Sequence, residues 1–301
     1  MVKSRKNKNT PDAIEGRVIE MLGRKVRVET TDDTLVCHLA GNRVVIGDTV
    51  TLIQVQGGGG KITSVSERRN LLRRIVHGGR VQPLAANLGG LIITIAAKNP
   101  EPYLPLIDHY LVAARIEGLR TILVMTKQDL GITPEHLAAL KLREKFGCKL
   151  FMTSSTTGVG IAALQDALHD GGPWALVGQS GVGKTTLLAA MLPGVSVGPT
   201  AAVSDRDGTG RHTTTRSRIF QVNDYEIADS PGIRTFMPDI ADARTLRDHY
   251  PGVCDIDCKY RDCLHQEGED GCKAPMTADP TLLASYRHTL NALMKHQQRR
   301  R

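Results

Sequence analysis

The chain contains the octapeptide Gly178-Gln179-Ser180-Gly181-Val182-Gly183-Lys184-Thr185, a complete match to the pattern G-x-x-x-x-G-K-[ST]. An apolar segment at 174–177 precedes it, and a segment with helical spacing at 185–191 follows it. The glycines let consecutive backbone N–H groups curl around phosphate oxygens at the N-terminus of a helix, whose dipole favours anions. The octapeptide therefore predicts a strand, a phosphate-binding loop and a helix in that order. A chance glycine-rich turn is the alternative, and the flanking segments argue against it.

Specific chemical roles are expected at this loop. Lys184 would neutralise the β- and γ-phosphates, and Thr185 would offer its hydroxyl to Mg²⁺. Thr186, the next residue of the predicted helix, joins the octapeptide in the nucleotide-binding set. The other half of the site is expected at Asp229-Ser230-Pro231-Gly232, after a strand-like segment at 225–228. There Asp229 would hold Mg²⁺ through water, and Gly232 would bring a backbone N–H to the γ-phosphate.

A loop that selects guanine is predicted upstream. Such a loop has the pattern [NT]-K-x-D, because one carboxylate accepts both N1–H and N2–H of guanine, and adenine offers no such pair of donors. Thr126-Lys127-Gln128-Asp129 follows an apolar segment at 121–125. Asp129 would bind the base, and the Lys127 stem would cover its ring. Ser154-Ser155 ends the next predicted strand and suits a loop whose backbone N–H groups contact guanine O6.

These base-binding loops precede the phosphate loop, whereas in ordinary GTPases they come after it. Downstream of Gly232 the sequence has no such motif. The chain is therefore either an ATPase with two coincidental loops or a circularly permuted GTPase. Permutation is tolerated when the old termini lie close together and the new ones fall in exposed loops. Because loops at the carboxyl ends of parallel strands converge at one edge of a sheet, the permuted GTPase is favoured.

The N-terminal region has a different residue pattern. Short segments rich in valine, isoleucine and threonine, separated by glycine turns, predict a five-stranded barrel at 16–21, 25–30, 34–39, 48–54 and 61–65. An OB-fold is favoured, and an SH3-like barrel is the alternative. The segment 67–80 is expected to be a basic connector.

From Asn87 onward, apolar strands alternate with helices. Strands are predicted at 88–97, 121–125, 150–153 and 174–177, and helices at 104–117, 134–146 and 160–168. This alternation predicts an α/β fold, a parallel sheet with helices on both faces. After Arg234 the sequence predicts helices around a cysteine cluster and no further strands.

The net charge of +8 and the pI near 9.3 favour an anionic partner, whether nucleic acid, anionic membrane or acidic protein. Both tails are basic, and a third cluster comprises Arg68, Arg69, Arg73 and Arg74. This distribution favours binding to a polyanion. For the two tails, the alternative is that they are solvated, disordered ends. A secretory signal needs an apolar run, and none follows the basic N-terminus, so a cytoplasmic protein is expected. No apolar stretch approaches the ~20 residues of a spanning helix, so no membrane-spanning segment is expected, and the favoured function has no membrane partner.

The order of the motifs resembles the small-ribosomal-subunit biogenesis GTPases of the RsgA type, over essentially the whole chain. The resemblance includes Gly47-Asp48 in the barrel, Asn87 before the first sheet strand, and Gly210-Arg211-His212-Thr213-Thr214-Thr215 as a first switch. It implies an OB-fold, a permuted GTPase core and a helical zinc domain. It also implies Mg²⁺-dependent hydrolysis of GTP to GDP, stimulation by the 30S subunit, binding to 16S rRNA and a role in late 30S maturation.

Two residues depart from the usual GTPase pattern. Thr126 stands where asparagine is usual, and since that asparagine braces neighbouring loops, nucleotide affinity is expected to weaken while base choice survives. Ile233 stands where many GTPases place a water-orienting glutamine, and an apolar residue cannot polarise water. In this family the switch histidine, here His212, is the candidate for catalysis. A loop histidine without a chemical role is the alternative. Thr214 is favoured, among the three threonines, to close on Mg²⁺ and the γ-phosphate.

A cluster of cysteines near the C-terminus predicts a metal site. Cys258, Cys263, His265 and Cys272 supply three thiolates and one imidazole, a set that tetrahedral Zn²⁺ takes in closed structural sites. The matching positions of the family pattern ligate zinc, so one structural Zn²⁺ is expected. Cys254 is an alternative ligand, and buried free thiols are the alternative to a metal.

These observations predict four regions: a disordered basic tail at 1–10, an OB-fold at 11–70, a circularly permuted GTPase domain at 71–234, and a helical zinc-binding domain with a basic tail at 235–301. The favoured function is that of a monomeric, Mg²⁺-dependent GTPase that binds the 30S subunit and 16S rRNA. The alternatives are an RNA-binding module whose GTP site is a switch without turnover, an ATPase, and a protein that binds acidic membranes.

Overall fold

The computed structural model of the chain describes residues 12–168, 172–194, 217–222, 224–229 and 236–298. Its N-terminal part is a barrel of five strands: β1 (Ala13–Leu22), β2 (Lys25–Thr30), β3 (Thr34–His38), β4 (Thr49–Gln54) and β5 (Gly60–Val65). The strands pair in the order β1-β2-β3-β5-β4, and β4 returns to β1 to close the barrel. Since β3 and β5 are parallel and the other barrel neighbours antiparallel, the topology is that of an OB-fold and not of an SH3-like barrel.

Alternation of apolar and polar residues explains these strands. In β2, Val26 and Val28 are buried while Lys25 and Glu29 are exposed, and the other strands follow the same period of two. The inward side chains form a core of their own.

The segment 67–80, which was expected to be a connector, contains the first strand of a β-hairpin instead. β6 (Leu71–Ile75) pairs antiparallel with β7 (Val81–Ala86). The prediction of no strands after Arg234 is also wrong, because a two-residue strand, Met237–Pro238, pairs with β6. A strand of two residues shows no periodicity in sequence, since its pairing comes entirely from the hairpin beside it.

The central part alternates strands and helices, as predicted. Its elements are β8 (Gly90–Ala96), α1 (Leu104–Ile116), β9 (Arg120–Thr126), α2 (Pro134–Leu142), β10 (Lys149–Met152), α3 (Ile161–Asp166), β11 (Pro173–Gly178), α4 (Lys184–Met191), β12 (Arg218–Val222) and β13 (Tyr225–Asp229). The Met237–Pro238 strand is β14, and α5 (Ala243–Asp248), α6 (Ala274–Thr277) and α7 (Pro280–Gln298) follow it. The predicted helix at 134–146 ends early, because its last turn is a 3-10 helix, Arg143–Phe146.

The central sheet runs in the order β10-β9-β8-β11-β13-β12. Its first five strands are parallel, and β12 is antiparallel to β13. Two apolar cores cover the two faces, one built around α1 and α7 and the other around α3 and α4. The loops that follow β9, β10, β11 and β13 therefore leave the same edge of the sheet, although they are far apart in sequence.

The barrel is joined directly to this sheet. β1 pairs antiparallel with β12 at Glu20 and Arg218, so one continuous sheet runs from the core into the barrel. Arg17 on β1 also forms a bidentate ion pair with Glu226 on β13, with N–O distances of 2.7 and 2.6 Å.

Gly47 and Asn87 form a second joint between barrel and core. Gly47 has a positive φ of 85°, and a Cβ there would lie 2.0 Å from the carbonyl oxygen of Ala86, so only glycine fits. The Asn87 amide donates to the Gly47 carbonyl at 2.9 Å and accepts from the Arg69 N–H at 2.9 Å. The positions that carried the family resemblance in this region are thus positions of contact between the two parts.

The arginine cluster at 68–74 is engaged inside the molecule. Arg68 donates from two nitrogens to the buried carboxylate of Asp48, at 2.7 and 2.9 Å. Arg73 lies 3.6 Å from Glu117 and 3.5 Å from Asp239. These partners neutralise part of the positive charge, so this cluster is weaker support for binding to a polyanion than its sequence suggests.

Within the described ranges, every helix is too short or too polar to cross a bilayer.

Candidate functional site

The phosphate loop connects β11 to α4, as predicted. Two of its glycines are required by the backbone. Gly178 has φ +143°, and a Cβ there would lie 2.2 Å from the carbonyl oxygen of Thr94 on the neighbouring strand. Gly183 has φ +96° at the position before α4, where a left-handed backbone turns the chain into the helix. The loop therefore keeps its tight path with N–H groups at the helix start, the arrangement that suits anions.

Lys184 is the buried cation of this loop. Its ammonium group donates to the carbonyls of Gly178 and Gln179, at 2.8 Å each. Burial lowers the pKa of Lys184, and the nearby charge of Asp229 opposes that shift. A buried ammonium among loop carbonyls is placed to neutralise phosphate, because phosphate oxygens are stronger acceptors than carbonyls. Ser180, Thr185 and Thr186 are exposed at the loop and in the first turn of α4.

Asp229 ends β13 beside this loop, in register with Leu176 of β11. Burial raises the pKa of Asp229 to about 6, and Lys184 opposes the shift. The carboxylate and the ammonium thus lower the cost of burying each other. A carboxylate placed between strand end and phosphate loop fits a Mg²⁺ ligand, directly or through water, because the cation favours its charged form.

The base loop touches the phosphate loop through Thr126 and Lys127. The Thr126 hydroxyl is buried and lies within hydrogen-bond distance of two carbonyls, Ile95 at 2.9 Å and Val182 in the phosphate loop. A hydroxyl carries one proton, so it can donate to only one of these carbonyls at a time. The two loops that were predicted to meet are therefore in contact. The Thr126 hydroxyl nevertheless leaves one of its two neighbouring carbonyls without a hydrogen bond from this side chain.

Lys127 makes the second connection. It has a left-handed backbone, with φ +55°, and its ammonium group donates to the carbonyls of Gly181, at 2.8 Å, and Asn99. Asn99 lies in the loop after β8, and no sequence motif singled it out, because its role comes only from where its carbonyl lies. Asp129 follows on an exposed 3-10 helix, Gln128–Leu130, with its carboxylate accessible for a base.

The serines after β10 lie beside the base loop. Gln128 N–H donates to the Thr153 carbonyl at 3.1 Å, which joins the two loops. Ser154 is buried, and its hydroxyl accepts from the Thr157 N–H at 3.2 Å, while Ser155 is half-buried. The loop thus has the tight turn expected of one that presents backbone N–H groups.

Several predicted residues lie outside the described residues. They are His212, Thr213, Thr214, Thr215, Gly232 and Ile233. Their expected roles at the γ-phosphate and the attacking water remain predictions.

The cysteine cluster is assembled in space. The ligand atoms of Cys258, Cys263, His265 and Cys272 all lie within 4.8 Å of one another. Distances from His265 Nδ1 to the three sulfurs are 3.5, 3.4 and 3.5 Å. Zinc–sulfur and zinc–nitrogen bonds in a tetrahedron place such atoms about 3.6 Å apart. The donor set and its spacing therefore fit Zn²⁺, and Cys254, the alternative ligand, is not part of the cluster.

The surrounding backbone holds the four ligands in place. The Lys273 N–H donates to Cys258 Sγ at 3.2 Å, which fixes the position of this sulfur. Arg287 on α7 donates to the His265 carbonyl at 2.8 Å, and Tyr286 to the Leu264 carbonyl at 2.8 Å. The ligand loop is thus attached to α7, which packs on the core.

Comparison with known proteins agrees with this geometry. The family model described as RsgA GTPase matches residues 65–238. The small ribosomal subunit biogenesis GTPase RsgA of Azotobacter vinelandii is 38% identical over 297 residues, covering 92% of this chain and 85% of its own. The protein of that name from Pseudomonas aeruginosa (strain LESB58) is 36% identical over 298 residues, with the same coverage.

Solved structures share the fold. The crystal structure of YjeQ from Thermotoga maritima superposes with a TM-score of 0.71 at 26% identity, covering 94% of this chain and 99% of its own. YloQ, described as a circularly permuted GTPase, gives a TM-score of 0.66 at 20% identity, covering 97% and 98%. The circular permutation that the order of the motifs predicts thus occurs in a solved structure of the same fold.

Proposed function

The chain belongs to the RsgA GTPase family and is a GTP hydrolase, and on that basis we propose that it hydrolyses GTP while bound to the 30S ribosomal subunit, through contacts with 16S rRNA, during late maturation of that subunit. The observation that carries the nucleotide site is the contact of Lys127 with Gly181, because it brings a base-recognition loop onto a phosphate loop that follows it in sequence.

In the proposed site each residue has one task. Asp129 accepts N1–H and N2–H of guanine, the Lys127 stem covers the ring, and the loop at Ser154 and Ser155 presents backbone N–H groups to O6. Lys184 and the N–H groups of the phosphate loop hold the β- and γ-phosphates. Adenine would then be rejected because it would leave the Asp129 carboxylate without the two N–H donors that guanine supplies.

The same proposal assigns the metal and the water. Thr185 and Asp229 would hold Mg²⁺, which when bound would neutralise negative charge on the phosphates. Gly232 reaches the γ-phosphate through its N–H, Thr214 closes on the metal side, and His212 orients the attacking water, because Ile233 cannot. Replacement of His212 by alanine should lower turnover while leaving GTP affinity in place, since an orienting group acts on the water and not on the nucleotide.

We also assign a structural Zn²⁺ to Cys258, Cys263, His265 and Cys272. Four protein ligands leave no open position for a substrate, so the ion would stabilise the C-terminal helices without taking part in hydrolysis.

The barrel supports the choice of RNA as partner. Lys25, His38 and Lys61 lie directly beside one another across β2, β3 and β5, all exposed. Lys25 and Lys61 flank His38, so the exposed row carries two ammonium groups and an imidazole that can donate hydrogen bonds, a set that suits an anionic partner. OB-fold barrels bind oligonucleotides on this kind of strand face.

GTP turnover titrated with purified 30S subunits tests the proposal. We expect stimulation that weakens with salt, because phosphate contacts release counterions. The double change Lys25→Glu and Lys61→Glu should raise the 30S concentration for half-maximal stimulation about tenfold, with intrinsic hydrolysis unchanged. Lys145→Glu, an equal type of change at an exposed residue outside the barrel, is the matched control.

Other results of this assay favour the alternatives. Absence of stimulation by 30S in the wild type would contradict the proposal and favour a switch without turnover on the ribosome. Sedimentation with anionic vesicles but not with 30S particles would favour a membrane partner. We further propose a monomer in the cytoplasm, which sedimentation equilibrium of the purified chain and cell fractionation test.

A further inference from the structure

Strand β1 is shared between the barrel and the central sheet. Along one edge it pairs first with β4 of the barrel, at 13–17, and then with β12 of the central sheet, at Glu20. The Met21 N–H also donates to the carbonyl of Ser217, just before β12, at 2.9 Å. A β-bulge between Val18 and Glu20 separates the two halves, and a bulge bends its strand and increases the twist. The boundary between barrel and core therefore lies at a bend within one strand.

Arg17 lies at this boundary and links three strands. It ends the stretch of β1 that pairs with β4, and its guanidinium donates to both carboxylate oxygens of Glu226 on β13, at 2.7 and 2.6 Å. One of the same nitrogens donates to Glu29 on β2 at 2.7 Å. A planar guanidinium that bonds both oxygens of a carboxylate fixes the direction of the contact as well as its length. The ion pair therefore restricts bending of β1 at the bulge.

The core side of the boundary leads to the candidate Mg²⁺ ligand. Arg218 on β12 is the cross-strand partner of both Glu20 on β1 and Asp229 on β13. Since adjacent strands lie about 4.8 Å apart, the backbone of β1 passes about 10 Å from the backbone of Asp229. Glu226 stands on the same strand as Asp229, near its other end. The barrel is thus connected to β13 in two ways, through the pairing of β1 with β12 and through Arg17.

We propose that Arg17 and Glu226 are positioning residues, which couple binding of a partner on the barrel to the placement of Asp229 and so to GTP turnover. A partner that tilts the barrel moves β12 and β13 as well, because the ion pair prevents the bulge from absorbing the movement. Glu226 acts through its strand, since the nucleotide loops leave the opposite end of β13. The inference rests on the proposed contact of the barrel with the 30S subunit and on the proposed role of Asp229.

The test compares intrinsic GTP turnover with turnover at saturating purified 30S subunits. Arg17→Leu removes the ion pair and should lower the 30S-stimulated kcat about fivefold. Intrinsic kcat, GDP affinity and the 30S concentration for half-maximal stimulation should each change less than about twofold, because the nucleotide loops and the basic row of the barrel are unaltered. A loss of stability alone would not separate stimulated from intrinsic turnover in this way.

Two further variants test whether the pair acts as a unit. Glu226→Gln weakens the same contact, and the double variant with Arg17→Leu should be no worse than Arg17→Leu alone, since the interaction can be lost only once. Arg17→Lys keeps the charge but not the bidentate geometry, so it should recover part of the stimulation.

Arg27→Leu is the matched control. Arg27 donates to Glu20 at 2.8 Å, and this ion pair of similar exposure lies entirely between β2 and β1. The variant loses the same charge and the same type of contact but leaves Arg17 bonded to Glu226, so it should keep wild-type stimulation at saturating 30S. Turnover is expressed per GDP-binding site, measured with a fluorescent GDP analogue, so that unfolded molecules are not counted.

The outcomes separate this inference from the proposed function. Unaltered stimulation in Arg17→Leu, an equal fall in Arg27→Leu, or additive losses in the double variant would overturn the coupling while the stimulated wild type upholds the proposed function. Absence of stimulation in the wild type would overturn both. If Arg17→Leu fails to fold, Glu226→Gln decides, since it keeps the shape of the side chain: reduced stimulation supports the coupling, and wild-type stimulation overturns it.

Discussion

The ammonium group of Lys127 donates a hydrogen bond to the carbonyl oxygen of Gly181 at 2.8 Å. The two residues belong to loops that follow different strands of one parallel sheet, β9 and β11. Their contact joins the loop expected to bind the base to the loop expected to bind the phosphates. Through this contact, two loops that occur in an unusual order in the sequence lie next to each other in space.

Replacing Lys127 with alanine should weaken GDP binding about tenfold or more, because a hydrogen bond from a charged donor contributes about 1.5–3 kcal/mol. Fluorescent-GDP titration measures the change. Lys141→Ala, at an exposed lysine of α2, should leave the affinity unaltered. Equal affinity in Lys127→Ala and the wild type would contradict the role assigned to this contact.

Replacing Thr126 with asparagine should tighten GDP binding a few fold. The Thr126 hydroxyl has one proton for the carbonyls of Ile95 and Val182, whereas an amide has two. Thr126→Val removes the proton, so neither carbonyl receives a hydrogen bond from this side chain, and the loss of one buried hydrogen bond costs about 1–3 kcal/mol in stability. Thermal unfolding and GDP titration of both variants measure these opposite effects, and weaker binding by Thr126→Asn would contradict the argument.

Replacing Asp129 with asparagine should shift base preference from guanine to xanthine. The amide cannot accept two N–H groups of guanine, but it can donate to the extra oxygen of xanthine. Competition of GDP, XDP and ADP against a fluorescent nucleotide measures the preference. If the change leaves the ranking of the three nucleotides as it was, Asp129 does not read the base and an ATPase becomes the better interpretation.

The pKa of Asp229 predicts a dependence of stability on pH. Its folded-state pKa is raised from 3.8 to about 6, so the folded state binds more protons than the unfolded state between these values. The free energy of unfolding due to this group therefore falls as pH rises from about 4 to about 6, and stays low above that. Without Mg²⁺ or nucleotide, Asp229→Asn should be more stable than the wild type at pH 7, by about 1–3 kcal/mol.

Denaturant unfolding of both proteins at pH 4.5 and pH 7 measures this difference. The free energies of unfolding of the two proteins should be closer at pH 4.5 than at pH 7, because at pH 4.5 the Asp229 carboxyl of the wild type is protonated in the folded state. A gap that is the same at both pH values would mean that the charge on Asp229 is not its cause.

Removal of the zinc site should unfold the C-terminal helices first. Cys263→Ser should reduce bound zinc from one ion per chain to none and lower Tm by several degrees, because metal binding free energy is folding free energy. Elemental analysis and thermal unfolding measure both effects. Cys254→Ser is the matched control, since Cys254 lies near the cluster in sequence but outside it in space, and it should keep one zinc.

Predictability from sequence differed between elements for physical reasons. The strand β9 was predicted because a fully buried parallel strand is an unbroken apolar run, and five of its residues are buried. The strand β14 was not, because two residues carry no pattern. The arginines at 68–74 were expected to face a polyanion, but Asp48, Glu117 and Asp239 come from elsewhere in the chain to meet Arg68 and Arg73.

The sequence by itself predicted the loops that follow the strands, the alternating strands and helices, and the four members of the cysteine–histidine cluster, because each of these depends on local residue type and spacing. Only the tertiary structure decided that Lys127 meets Gly181 and Asn99, that Thr126 faces two carbonyls with one proton, and that Arg17 on β1 meets Glu226 on β13. Those relationships depend on how strands that are far apart in sequence lie side by side. Backbone carbonyls are present in every residue, so no residue type in the sequence indicates which of them will accept a hydrogen bond.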